Sequence, residues 1–177
     1  MLLWETSVAD PKTLRTLAAR ATGAAECLVR EDGKGGFILC QRGKAPPGVL
    51  EKHLTPLFSG GRIGPKAGAW VFRVGIWTPQ DWRSEFCAWY QCEHAPILLE
   101  CPEWQGYQLF EARAERGCQF YVLHHLADRS ALDSEWRRRS RSTPWFYRLA
   151  KNEWFDGPFE RILCRRVTAR RDHKSKN

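Results

Sequence analysis

The stretch Trp70-Val-Phe-Arg-Val-Gly-Ile-Trp77 leaves a sheet no face for water. Its β-branched and aromatic residues make a strand. Alternation puts Trp70, Phe72, Val74 and Ile76 on one face, and Val71, Arg73, Gly75 and Trp77 on the other. A second stretch behaves alike, with Phe120, Val122, His124 and Leu126 opposing Tyr121, Leu123 and His125. Neither set reads as the Lys- and Glu-rich face that water would select. Both faces of any sheet built from these strands must be covered.

The elements around them follow from turn and capping chemistry. Thr78 reads as an N-cap, with Pro79 at the first helical position. Trp82, Phe86, Trp89, Tyr90, Glu93 and Ile97 then recur at helical steps. Pro96 disfavours helical geometry at Ala95, so this helix is expected to bend or end there. Tyr107 to Ala114 reads as a strand, Arg116-Gly117 as a turn, and Gln119 to Leu126 as the antiparallel partner. Asp128 to Ser130 caps a helix from Ala131 to about Ser142. Pro144 interrupts it before Trp145 to Lys151. After an Asp156-Gly157-Pro158 turn, Phe159 to Thr168 is the last strand. The order βαββαβ is the ferredoxin-like arrangement, an antiparallel sheet with both helices on one face.

The first part of the chain reads as a weaker copy. Leu2 to Thr6 is a strand, and Asp10-Pro11 opens a helix to about Ala21. A hairpin over Glu26–Glu31 and Gly36–Arg42 turns at Asp32-Gly-Lys-Gly35. Pro47 to Phe58 is expected to be a second helix, with a short strand near Arg62 or Ile63. The expected fold is α+β, two tandem ferredoxin-like βαββαβ repeats whose sheets pack by their uncovered faces. The units are 1–68, 69–168 and a basic tail, 169–177. The covering sheet comes from the other half of the chain, from a second chain, or from both.

Charge and cysteine usage narrow the partners. The formal charge is +8, and the segment from Cys164 to Asn177 carries +5 of it. Such a tail suits contact with nucleic acid or anionic lipid, or plain solvation, which is commoner. The basic residues form no motif with interleaved aromatics, which argues against nucleic acid as the main partner. Cys27, Cys40, Cys87, Cys92, Cys101, Cys118 and Cys164 are odd in number, include no Cys-x-x-Cys pair and fit no zinc spacing. They read as reduced structural thiols. With no signal peptide and no apolar run of about 18 residues, a cytoplasmic protein off the membrane is expected. No Rossmann or P-loop glycine pattern is present, and no metal or cofactor is expected.

Chemistry concentrates before Pro96. His94 is the candidate catalytic acid/base, since an imidazole of ordinary pKa near 6.5 can take a proton from an acidic carbon or phenol and return it. It equally suits a capping role at the helix end. Tyr90, four residues back, is placed to orient or protonate a substrate oxygen. Trp77, Trp89, Tyr107, Tyr121 and Trp145 are candidates for a flat aromatic pocket, or for core. Arg73, inside a strand, needs a partner: Glu111, Glu160 or a substrate carboxylate. His124 and His125 point to opposite faces, so one at most reaches a given cavity. His124 is carried as a substrate-binding candidate. Glu93 is read as an ion-pair partner, while His53 and His173 carry little weight.

These residues resemble a known group. Glu85-Phe-Cys-Ala-Trp-Tyr-Gln-Cys-Glu-His-Ala-Pro96, Leu98-Leu99, Cys101-Pro-Glu-Trp104, Phe120-Tyr-Val-Leu123, Ala131-Leu-Asp-Ser134 and Ser142-Thr-Pro-Trp145 are similar to the dimeric α/β-barrel superfamily. The likeness is to its EthD-like and related uncharacterised members, whose first helix carries W-Y-x-x-E-H-x-P before a P-G-W/F turn. Glu103 stands where many of them have Gly. The likeness covers residues 70–167, with the first 68 as a degenerate copy. It implies a homodimer and a small-molecule site. The superfamily holds cofactor-free monooxygenases, muconolactone isomerases, polyketide cyclases and haem enzymes, so it implies no single reaction. The favoured expectation is a cofactor-independent isomerase, cyclase or lyase acting on a planar, unsaturated aromatic or polyketide-like acid. A haem-binding barrel and a non-catalytic binding or assembly module are the alternatives.

Overall fold

The double-sided strand Trp70–Thr78 (β5) does sit between two covered faces. The computed structural model describes residues 1–23, 26–64, 67–157 and 160–167. β5 pairs antiparallel with β7 (Cys118–Leu126), where Arg73 lies opposite Leu123. On its other edge it pairs with β8 (Glu160–Arg166), Arg73 opposite Ile162. β7 pairs in turn with β6 (Trp104–Ala112). The N-terminal half repeats the order, β4 (Leu50–Gly61) beside β1 (Leu2–Thr6), then β3 (Gly36–Cys40) and β2 (Glu26–Arg30). The sheets join edge to edge, β2 to β8 and β4 to β6, into one closed antiparallel barrel. Closure leaves no free edge to template aggregation. The inner faces pack Leu3, Leu28, Phe37, Val71, Phe110, Tyr121 and Leu123 together, the second covering the sequence calls for.

Outside the barrel, helices cover the other faces. In the N-terminal half, α1 (Pro11–Ala18) starts where the Asp10 carboxylate accepts from the Thr13 N–H at 2.7 Å. It buries Leu14 completely in a cluster with Trp4 and Ile38. The expected second helix, Pro47 to Phe58, is not there; those residues contribute most of strand β4. Leu50, Leu54, Leu57 and Phe58 imitate a helical stripe, but tertiary pairing overrides it. The first part of β4 pairs with β1, Leu2 opposite His53, and the rest with β6. Pro56, unable to donate, sits where the register shifts between Pro56 and Phe58. The short strand expected near Arg62 is likewise absorbed: β4 runs to Gly61, and the Arg62 N–H still bonds the Gln105 carbonyl at 2.6 Å.

The C-terminal half keeps its helices with two corrections. Thr78 is not an N-cap but the buried last residue of β5, and the helix opens as a 3₁₀ turn at Gln80–Trp82. The chain then runs without a break through α2 (Arg83–Trp89), a π-helical turn (Tyr90–His94) and α3 (Ala95–Leu99). Pro96 therefore does not end the helix, which runs on to Leu99. Its ring crowds the carbonyl four residues back, and its missing N–H leaves that carbonyl without a donor. A wider turn, with the Ala95 N–H bonded to the Tyr90 carbonyl five residues back, makes room for it. Later, Asp128 caps as expected, accepting from the Ser130 N–H at 2.8 Å. The following helix is split into a 3₁₀ turn, Arg129–Asp133, and α4 (Glu135–Ser140), because Ser134 is extended and caps a new start. α5 (Pro144–Ala150) begins at a Thr143 cap. The ends of the expected last strand, Phe159 and Thr168, lie outside the described residues, as do Pro158, the basic tail and His173.

Gly106 lies where the halves join. A Cβ there would stand 2.2 Å from the Arg62 carbonyl oxygen, a backbone atom that cannot swing away. Gly106→Ala is expected to push the β4–β6 seam apart and cost about 3 kcal/mol, near the upper end of overpacking penalties. The urea midpoint reads this directly; an unchanged midpoint would mean the seam is compliant.

Candidate functional site

A cavity of about 120 Å³ lies between the outer face of β5 and β7 and the interrupted helix. Phe72, Val74, Ile76, Val122 and His124 form the sheet side. Phe86, Trp89, Tyr90, His94, Leu98 and Phe146 form the helical side. The strand alternation supplies the first set, and the helical stripe supplies Phe86, Trp89 and Tyr90 of the second. An engineered apolar cavity of about 150 Å³ holds one benzene. This space is of single-ring size.

The π-helical turn carries Tyr90 and His94, and both ends of it line the cavity. The His94 ring lies 4.5 Å from the Trp89 ring and 5.2 Å from that of Tyr90. Its Nδ1 is 3.2 Å from the Ser140 carbonyl at the end of α4. A carbonyl only accepts, so Nδ1 carries the hydrogen and Nε2 is left as the basic nitrogen. Burial pushes the His94 pKa down to about 4, against the bond to Ser140, and the Arg141 and Arg137 guanidiniums push it further the same way. The imidazole is neutral at neutral pH.

His124 has its own fixed tautomer. The Trp104 indole N–H donates to Nδ1 at 3.0 Å, and an indole nitrogen can only donate. The hydrogen of the neutral ring is then on Nε2, which donates to the Tyr90 hydroxyl oxygen at 3.0 Å. The Tyr90 proton is thereby free to be given elsewhere. Burial holds His124 well below its ordinary pKa, assisted by His94, His125 and Arg137. Burial raises Tyr90 well above 10, keeping it protonated.

The other sequence candidates divide by face. Tyr107 packs edge-on under Tyr90 at 5.6 Å, with Phe58 beside both, so it supports the site from behind. Arg73 and Tyr121, carried as pocket residues, instead point into the barrel. Arg73 is fully buried there, paired with Glu160 and 4.0 Å from Glu5, its guanidinium 4.3 Å from the Phe37 ring. Strand alternation alone separates these two from His94. Trp77 is 43% exposed, its indole bonded to the Arg116 carbonyl. Trp145, half-buried against the core cluster of Phe86 and Trp89, donates to Glu85 at 3.0 Å. Neither lines the cavity. Glu93 meets Thr143 at 2.5 Å rather than a strand cation. His125 faces the barrel, between Arg166 and Gln108. His53 is exposed beside Glu51. The described cysteines are all unpaired, and no described cluster of His, Cys, Asp or Glu could hold a metal.

Sequence reasoning missed the cations and one tryptophan. Arg137, Arg141 and Arg161 line the cavity with Trp104 and Phe155. The run Trp136-Arg-Arg-Arg-Ser-Arg141 was the available signal for two of the arginines. Arg137 lies 5.8 Å over the Phe72 ring and donates to the Leu132 carbonyl. Burial, then the guanidiniums of Arg141 and Arg161, lowers its pKa.

No protein-family model matches the chain, and no curated protein does. Solved structures do. The heme-degrading enzyme LmHde from Listeria monocytogenes is 18% identical, with a TM-score of 0.63 over 93% of this chain and 99% of its own. An uncharacterized ferredoxin fold protein related to antibiotic biosynthesis monooxygenases, also from Listeria monocytogenes, is 17% identical, with a TM-score of 0.61 over 93% and 94%. An anthrone oxidase-like protein is 9% identical, with a TM-score of 0.64 over 94% and 90%. Among the described residues no helix is long and apolar enough to cross a membrane. Strand order, barrel closure and these likenesses agree that the chain has the ferredoxin-like α+β fold of the dimeric α/β-barrel type, with both sheets supplied by one polypeptide.

Proposed function

We propose that the protein is a small-molecule enzyme that moves a proton on a planar, unsaturated substrate of about one ring. His94 Nε2 takes the proton from carbon, the freed electron pair becomes the enol double bond, and the Tyr90 hydroxyl protonates the carbonyl oxygen. The His124 N–H then holds the phenolate oxygen until the proton returns, at the same or a neighbouring carbon. The carrying observation is the Ser140 carbonyl on Nδ1, which leaves a proton-free nitrogen on a ring that lines an aromatic cavity. The EthD-like W-Y-x-x-E-H-x-P motif, within which both residues fall, and the monooxygenase-type neighbours accord with an enzyme of this fold.

A second reading has one observation behind it. An imidazole anchored through Nδ1–H on a carbonyl is also how metal-ligating histidines are held, and one neighbour is named a heme-degrading enzyme. The donor suits haem iron but the space does not. About 120 Å³ falls short even of the roughly 300–1,000 Å³ of drug-sized sites. The proton-transfer reading is therefore preferred.

Exchange in heavy water tests it without knowing the net reaction. Incubated with one-ring cyclic enones and keto acids, the protein is expected to catalyse deuterium uptake next to the carbonyl. His94→Ala should slow uptake by about 10²–10⁴-fold, the usual worth of a positioned acid/base. Uptake that survives this change in a folded variant would end the proposal.

A further inference from the structure

Deepening the proton-transfer reading, on which it rests, we infer that Trp104 is the positioning residue that makes the Tyr90 hydroxyl a proton donor toward the cavity. Three side chains form one buried line. The Trp104 indole N–H reaches His124 Nδ1 at 3.0 Å, and His124 Nε2 lies 3.0 Å from the Tyr90 oxygen. They come from β6, β7 and the π-helical turn, and each is at most 3% exposed. Among the described residues the Tyr90 hydroxyl has no hydrogen-bond partner but His124.

The direction of the line follows from which polar groups are left idle. With the ring hydrogen on Nε2, every group along the line is paired and only the Tyr90 proton is free. The opposite tautomer sets two N–H groups against each other at 3.0 Å and turns the Tyr90 proton onto Nε2. Without the indole N–H the balance reverses. Keeping the hydrogen on Nε2 then leaves both Nδ1 and the Tyr90 proton idle, whereas moving it to Nδ1 leaves that one N–H idle. A buried polar group without a partner is costly, so the ring changes tautomer and the Tyr90 proton is withheld from the cavity. The imidazole is held in place for this. Trp104 meets it edge-on at 4.9 Å, and Phe72 stacks on it at 6.0 Å. Trp104 gives up no proton itself. The Tyr90 proton passes to the substrate carbonyl oxygen, and the phenolate keeps the bond from Nε2–H, which the indole behind the ring polarises.

Benzothienylalanine placed at position 104 keeps the shape of tryptophan with sulfur in place of the N–H, and so removes this one bond; Trp104→Phe is its simpler counterpart. Nitrogen-15 NMR, with His124→Gln identifying the signals, is expected to show Nδ1 bare and Nε2 protonated in the unaltered protein. Both variants should show the reverse. In the heavy-water assay the isostere should slow deuterium uptake about 10²-fold, the lower end of a positioned acid's worth, with KM little changed. On a Tyr90→Phe background it should slow uptake no further, because both changes act through one proton; a merely structural role would add its own loss. A hydrogen on Nδ1 in the unaltered protein, a tautomer that survives the isostere, or full additivity with Tyr90→Phe would each overturn the inference. The proton-transfer reading fails separately. Uptake that ignores His94 ends that reading while the tautomer change at His124 stands, and His94-dependent uptake beside an unchanged tautomer ends the role of Trp104 alone.

Discussion

Acidification from pH 7 to pH 5 is expected to cost the fold roughly 5 kcal/mol, as much as the whole stability of a marginal domain. The cause is three buried neutral imidazoles. Burial depresses His94 and His125 from 6.5 to about 4, and holds His124 well below 6.5. Arg166 beside His125 and the arginines beside His94 act in the same direction. In the unfolded chain all three return to about 6.5. Between pH 6.5 and pH 4 the unfolded state thus binds more protons than the folded one, and stability falls as pH falls. Each group contributes about 2 kcal/mol of the loss by pH 5. Urea titrations at pH 7, 6 and 5 measure it. His125→Gln, which removes one titrating group away from the cavity, should cut the pH-dependent loss by about a third. A midpoint that does not move between pH 7 and 5 would show that the rings already protonate in the native state.

The strands were legible because their chemistry is local. Alternation at Val71, Arg73, Tyr121 and Leu123 announced an inner face, and Asp10-Pro11 and the Asp32–Gly35 turn announced their elements. β4 was illegible for the opposite reason. Its apolar residues are spaced as a helix would space them, and only the pairing with β1 and β6, which closes the barrel, decides otherwise. The candidate site was half legible. His94, Tyr90 and Trp89 stand out in one helical stretch, but the π-helical turn that lets the helix pass Pro96 depends on a five-residue hydrogen bond invisible in composition. The tautomers of His94 and His124 depend on Ser140 and Trp104, which are remote in sequence. Arg73, Tyr121, Trp77 and Trp145 were drawn toward the pocket by residue type, but the pleat turned Arg73 and Tyr121 into the barrel, and Trp77 and Trp145 bond the Arg116 carbonyl and Glu85 instead.

Replacing Arg73 is expected to give opposite results according to what replaces it. The side chain is fully buried in the barrel, among the largest groups with no exposure, and two of its nitrogens, Nε and Nη1, lack a hydrogen-bond partner. Each unpaired buried donor costs about 1–3 kcal/mol. Against this stand the pair with Glu160, which is half exposed, and the contacts with Phe37 and Tyr121. Methionine fills nearly the same volume and needs no partner, so Arg73→Met should leave stability within about 1 kcal/mol or raise it. Arg73→Ala leaves a void between Phe37 and Tyr121 and should cost about 3–5 kcal/mol. Glu160→Ala leaves the guanidinium buried with only Glu5 in reach, a loss of about 3 kcal/mol that the Arg73→Met background should abolish. Urea unfolding of the four variants measures these differences. A methionine variant as unstable as the alanine one would mean that the barrel needs the charge itself, and that Arg73 holds Glu5 and Glu160 together across β1 and β8 rather than filling space.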